Sequence, residues 1–79
     1  MNIYLFEGFI GCDESDRLGV FTTKELARQA FIDFIEKHGP DGGGYRSLYV
    51  CEISTDVLYP GYNTIFYSDN KNPFQDTNP

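Results

Sequence analysis

Basic side chains are scarce in this sequence. Its 79 residues contain six Lys and Arg against twelve Asp and Glu, which gives a formal net charge of −6 at pH 7. Binding to a nucleic-acid backbone requires clusters of Lys and Arg that neutralise the phosphates. The composition therefore argues against direct nucleic-acid binding, and it favours an acidic surface that meets a basic partner protein.

We expect neither a leader nor a membrane segment in this sequence, and its cysteines are few. Its first residues have no basic region, and Glu7 interrupts the apolar run that follows, so no signal peptide is expected. No apolar stretch is long enough to span a bilayer. Cys12 and Cys51 are too few for a disulfide framework, and we expect both to be small hydrophobic residues with free thiols. A disulfide or redox pair is the alternative. These features predict a cytoplasmic protein without membrane contact.

Catalytic and metal-binding side chains are few as well. The one histidine, His38, has no nucleophile or carboxylate placed beside it by the sequence pattern, and general acid–base catalysis requires such a partner. The acids Asp13, Glu14 and Asp16 do not follow the alternating ligand spacing of a calcium loop. The glycines at 42–44 leave a helix and enter a strand, whereas a phosphate-binding loop does the reverse. We therefore predict no enzymatic activity, no metal and no cofactor.

A helix over about 23–38 is the clearest element that the sequence does contain. Thr22 is its predicted N-cap, and Glu25 follows three residues later, which is the spacing of a capping box. Gly39 suits the position after the last turn. Ile32 falls among polar residues on the outer side of the helix. The apolar stripe of the helix is Leu26, Ala27, Ala30, Phe31, Phe34 and Ile35.

Four segments rich in β-branched and aromatic residues predict strands. They lie at about 2–10, 18–21, 45–54 and 62–68. Together with the helix they predict an α+β fold, in which a small, mainly antiparallel sheet of three to four strands packs one helix on one face. Residues 1–68 form this single domain, and residues 69–79 are predicted to be a polar, loosely ordered C-terminal tail.

The predicted strands carry apolar or aromatic residues on both faces, whereas one helix covers only one. The second face therefore needs a cover or serves as a binding surface, for which tyrosine is well suited. The alternative is that the tail and loops fold over it, or that its tyrosines line a solvated face. The candidate binding residues are Tyr4, Phe6, Tyr45, Tyr49, Tyr62, Tyr67, Asp13, Glu14, Asp16 and Ile32.

The segment at 19–27, Gly-Val-Phe-Thr-Thr-Lys-Glu-Leu-Ala, resembles the strand-to-helix entry of many small bacterial and phage proteins. In size, acidity and lack of catalytic motifs the chain also resembles phage-encoded inhibitors of bacterial defence, of the anti-CRISPR type. That resemblance implies an inhibitor in the host cytoplasm that binds a basic, nucleic-acid-binding protein complex, and it assigns no residue a role. We predict a non-enzymatic protein-binding module. The alternatives are a self-associating domain, such as a homodimer, and a ligand-binding domain without an anti-defence role.

Overall fold

One antiparallel sheet and one helix make up the described part of the molecule in a computed structural model. The structure describes residues 2–11, 14–39, 43–58, 60–69 and 75–76. In chain order the elements are β1 (Asn2–Gly11), β2 (Glu14–Phe21), α1 (Lys24–His38), β3 (Ser47–Ser54), β4 (Asn63–Asp69) and β5 (Gln75–Asp76). The sheet order is β2-β1-β3-β4-β5. The predicted small α+β fold is confirmed.

Strand β1 lies inside the sheet, with β2 on one side and β3 on the other. Its residues alternate between the two faces, as in any strand. Phe6 belongs to the core beneath α1. Leu5, its neighbour in sequence, points to the opposite face and is also buried. Both faces of β1 are therefore apolar, which agrees with the interior position that its sequence indicates.

Aromatic contacts join α1 to the sheet. The Phe6 ring on β1 lies 5.3 Å from the rings of both Phe31 and Phe34 on the helix, in edge-on arrangements. Such pairs contribute about 0.5–1.5 kcal/mol each beyond the area that they bury. Phe31 is fully buried and also approaches Phe66 of β4, at a distance of 6.1 Å between ring centroids. The buried core consists of Phe6, Ala27, Phe31, Leu48, Val50, Ile65 and Phe66.

The helix begins one residue later than the capping pattern predicts. Thr23 is the N-cap, and its hydroxyl oxygen accepts a hydrogen bond from the Leu26 amide at 3.2 Å. The predicted cap at Thr22 is wrong, and Glu25 becomes the second helical residue, one short of the capping-box position. Ala27, Phe31 and Phe34 face the sheet. Leu26, which the predicted stripe includes, points outward and is 56% exposed.

The C-terminal end of the helix agrees with the prediction. Gly39 has a positive φ of 91°, and its amide donates a hydrogen bond to the Ile35 carbonyl at 2.7 Å. A glycine adopts this backbone conformation without the steric cost that a Cβ would bring.

Strand β2 is longer than predicted. The polar segment before Leu18 is expected to be a loop, but the strand already begins at Glu14 and pairs with β1. β2 is an edge strand, and its first residues are exposed to solvent. A polar sequence can therefore pair with β1 at no cost in buried polar groups. Cys12 and the predicted site residue Asp13 lie outside the described residues.

The C-terminal part of the chain also differs in its bounds. β3 begins at Ser47 rather than at 45, and β4 extends to Asp69, the first residue of the predicted tail. Gln75–Asp76 then pairs with Phe66 and Tyr67 of β4. The rest of the predicted tail lies outside the described residues.

Replacement of the two threonines by alanine separates the predicted cap from the observed one. Thr23→Ala should lower the free energy of unfolding by about 1 kcal/mol, because it leaves the Leu26 amide without its acceptor. Thr22→Ala is the matched control and should have little effect. Urea unfolding measures both variants, and equal costs for the two would contradict the assignment of the cap.

Phe31→Ala should lower the free energy of unfolding by about 3–5 kcal/mol, because it opens a cavity between the helix and the sheet. Urea unfolding measures this change as well.

Candidate functional site

The side of the sheet opposite α1 has no other described element over it. We call this side the open face and define it by the residues that alternate with the core positions and pair across the strands. The register places Leu5 opposite both Cys51 and Val20, and Glu7 opposite both Tyr49 and Arg17. The open face comprises Ile3, Leu5, Glu7, Phe9, Ser15, Arg17, Val20, Ser47, Tyr49, Cys51, Ile53, Thr64, Tyr67 and Asp69.

A groove of about 380 Å³ lies in the open face. Its floor is apolar, because it consists of the Leu5 and Cys51 side chains. These side chains are buried, with 6% and 5% of their surface exposed. Its walls are aromatic, and its rim carries a carboxylate, a hydroxyl and a guanidinium. An apolar floor with a few polar groups around it is the usual composition of a binding site. The lining residues are Leu5, Glu7, Ser15, Arg17, Tyr49, Cys51 and Tyr62.

The predicted tyrosine-rich surface is divided between the two sides of the sheet. Tyr4 and Tyr45 lie on the helix side, where both pack against the core cluster. Tyr49 and Tyr67 lie on the open face, opposite one another on β3 and β4. Tyr62 lines the groove from the residue before β4 and is 73% exposed. Three of the predicted tyrosines therefore remain as candidates on the open face.

Tyr45 owes its place on the helix side to a glycine. A Cβ on Gly8 would lie 2.7 Å from the Tyr45 ring, so only glycine lets the ring lie this close to β1. Gly8 thus marks a close approach between β1 and the segment before β3. The Tyr45 hydroxyl donates to the Asp16 carboxylate at 2.9 Å, which joins the segment before β3 to the edge strand β2.

Several other predicted site residues do not lie on the open face. Phe6 is 2% exposed beneath α1 and cannot contact a partner, because the alternation of β1 turns it toward the helix. Ile32 is half-buried on α1, so it is neither on the open face nor the exposed residue that the helical pattern predicts. Asp16 lies opposite Gly8 and bonds Tyr45 on the helix side. Glu14 is exposed at the start of β2.

Five residues of the groove, Leu5, Glu7, Ser15, Arg17 and Cys51, are absent from the candidates predicted from the sequence. The alternation along 2–10 and 45–54 contains the signal for Leu5, Glu7 and Cys51, since it places them on the face opposite Phe6. Arg17 could not be found in this way, because the segment that contains it is predicted to be a loop. Its position follows from the pairing of β2 with β1, which no local sequence pattern encodes.

Carboxylates accept hydrogen bonds from three tyrosines. Tyr4 donates to Glu52 at 3.0 Å, Tyr45 to Asp16 at 2.9 Å, and Tyr67 to Asp69 at 2.9 Å. A carboxylate acceptor favours the neutral hydroxyl, so these bonds raise the pKa of Tyr45 and Tyr67 above 10.0.

Desolvation also raises the pKa of these three tyrosines and of Tyr49, and it is the largest cause for Tyr4 and Tyr49. Burial is the larger cause of the raised pKa of Tyr4, followed by its bond to Glu52. Burial likewise raises the pKa of Tyr49 on the open face, with nearby Glu7 as a further cause.

Cys51 and His38 lie on opposite sides of the sheet. Burial raises the pKa of the Cys51 thiol above 9.0, so the neutral form is favoured. Its sulfur lies 3.7 Å from the hydroxyl oxygen of Thr64. His38 lies on α1, on the other side of the sheet, with its ring 4.5 Å from the Phe34 ring.

Within the described residues, no group of three or more His, Cys, Asp or Glu side chains could hold a metal ion. None of the helical structure described is both long and apolar enough to cross a membrane. Nothing matches this chain among protein-family models, curated proteins or solved structures. A functional proposal therefore rests on the geometry of the chain itself.

The raised tyrosine pKa values predict a loss of stability at alkaline pH. A tyrosine whose pKa is higher in the folded than in the unfolded state contributes stability that is complete below about pH 10 and is lost as the pH rises through the folded pKa. Urea unfolding over a series of alkaline pH values should show this decline. Tyr67→Phe should make it shallower, because it removes one of the hydroxyls that donate to a carboxylate. Tyr62→Phe, which removes an exposed hydroxyl, is the control, and an equal change in both variants would contradict the assignment.

Cys51 should react slowly with alkylating reagents in the folded protein, because its thiol is buried and neutral. A Cys12→Ser variant isolates the reaction of Cys51. Intact mass should show little labelling under native conditions and one label after unfolding in urea, and the wild-type chain should take two labels in urea. Rapid native labelling would contradict the burial of the thiol. No label in urea on the wild-type chain would indicate a disulfide.

Proposed function

We propose that this protein is a non-enzymatic protein-binding module that contacts its partner through the open face. One observation carries the proposal, namely the apolar-floored groove with exposed hydrophobic side chains beside it. Val20, on the open face, is 53% exposed, and Tyr62 at the groove is 73% exposed. Exposed apolar and aromatic residues that are rimmed by polar groups are typical of protein–protein contact surfaces.

The chemistry of the groove supports binding over catalysis. Nucleophilic catalysis requires a thiolate or an activated hydroxyl with a base in reach, and burial favours the neutral form of the Cys51 thiol. The exposed side chains of Tyr62 and Val20 instead offer area that becomes buried when a partner covers them. Tyrosine supplies a large rigid contact surface at a low cost in conformational entropy, which suits it to a central position in an interface.

The charges around the groove favour a different kind of partner from the basic one that the sequence predicts. Asp16 and Glu52 bond tyrosines on the helix side, whereas the groove combines Glu7 with Arg17. The groove therefore carries little net charge although the chain carries −6. We infer that apolar and aromatic contacts, more than attraction to a basic target, hold the partner. The resemblance to inhibitors of bacterial defence stays a prediction.

A pair of matched variants tests the proposal. Val20 on the open face and Leu26 on the helix are 53% and 56% exposed, so replacement of each by aspartate adds the same charge at similar exposure on opposite sides. We expect wild-type protein and Leu26→Asp to retain the same partner from a bacterial lysate, and Val20→Asp to lose it. Circular dichroism and urea unfolding serve as the control that both variants remain folded.

The opposite pattern, with the partner lost by Leu26→Asp and kept by Val20→Asp, would place the interface on the helix side and overturn the proposal. Added salt gives an independent measure. Contact through the open face should weaken little, because salt mainly screens exposed charges. A steep loss of binding with salt would instead support the acidic, basic-target interaction predicted from the sequence.

A further inference from the structure

The connection between β3 and β4 exposes apolar side chains that the fold does not use. We call Asp56, Val57 and Leu58 the hairpin tip. Val57 is 54% exposed and Leu58 is 82% exposed, the largest exposure among the described large hydrophobic residues. Asp56 has a positive φ of 59°, which asparagine and aspartate tolerate better than most residues. The tip thus presents two apolar side chains beside one carboxylate.

The groove offers the complementary groups. Leu5 and Cys51 form an apolar floor that can receive an aliphatic side chain, and the rim carries the Arg17 guanidinium, which can pair with a carboxylate. The Glu7 carboxylate lies opposite Arg17 on the same rim, so an incoming carboxylate is attracted only on the Arg17 side of the groove. The hairpin tip combines an aliphatic pair with an acid.

The hairpin tip lies close in sequence to one residue that lines the groove. Tyr62, which lines the groove, follows the tip by four residues and precedes β4 directly. The tip does not fill the groove of its own chain, because Leu58 remains 82% exposed. A second copy related by a twofold axis can therefore receive one tip and insert its own at the same time. Two equivalent contacts of this kind close the assembly as a dimer.

We propose that a second copy of this chain occupies the groove, and that each copy inserts its hairpin tip into the groove of the other, with Asp56 of one copy beside Arg17 of the other. The inference rests on the proposed function, because it uses the same open face, and it names the partner. The contact between Asp56 and Arg17 would attract the two chains locally, although the chains repel one another overall because each carries a net charge of −6.

Sedimentation of the full chain over a wide range of protein concentrations tests the dimer. We expect the wild-type protein to pass from monomer to dimer as its concentration rises. Leu58→Asp should raise the dissociation constant of the dimer at least about tenfold, because it places a charge against the apolar floor of the groove. Leu26→Asp adds the same charge on the helix and should leave the dissociation constant unchanged.

A double-mutant cycle tests the contact between Asp56 and Arg17. Asp56→Asn keeps the backbone preference and Arg17→Gln keeps a polar side chain, while each removes one charge. If the two charges meet across the dimer, the double variant should dissociate little more readily than either single variant. Fully additive effects would show that the two side chains do not face one another, and would overturn the proposed placement of the tip.

The remaining outcomes separate this inference from the proposed function. A protein that stays monomeric at every concentration overturns the dimer. If Val20→Asp then still abolishes the binding of a host protein that Leu26→Asp retains, the open face is an interface for a different protein and the proposed function stands. A dimer that Leu58→Asp leaves intact overturns the insertion of the tip.

Discussion

One helix can shield only one face of a five-stranded sheet, and the rest of this structure depends on that constraint. The interior strands β1 and β3 bury Phe6, Leu48 and Val50 under α1, and they turn Leu5 and Cys51 the other way. On the covered side the rings of Phe6, Phe31 and Phe34 fill the space between the helix and the sheet. On the other side the strands carry apolar side chains without a described layer above them. The surface available for binding is therefore a consequence of the fold.

Hydrogen bonds between tyrosine and carboxylate groups limit which aromatic residues are free to act. Tyr4 and Tyr45 close the margins of the helix side through Glu52 and Asp16, and in doing so they occupy acids that would otherwise contribute to an acidic surface. Tyr62 is far more open to solvent. A count of tyrosines and acids thus overstates the surface that a partner could use, because part of each set is committed to the other.

The elements of the fold could largely be predicted from the sequence, whereas the site could be predicted only in part. The strands and the helix follow from local periodicity and from Gly39 at the end of α1. The N-cap could not be fixed to one residue, because Thr22 and Thr23 are chemically equivalent caps that follow one another in the sequence. The groove depends on the pairing of β2 with β1. Arg17 reaches it through contacts between strands that no local pattern of a polar segment indicates.

The pairing of β1 with β3 has a kinetic consequence. Tyr4 bonds Glu52 across 48 positions of the chain, whereas β1 and β2 are joined by a short connection. The entropy of loop closure rises with the length of the loop, so the β1–β2 hairpin and α1 can form early, and the alignment of β3 beside β1 is the slow step. Until that step is complete, the inner edge of β1 and the apolar residues of both faces stay open. The interval before β3 docks is thus the time at which a newly made chain is most exposed to misassembly with its neighbours.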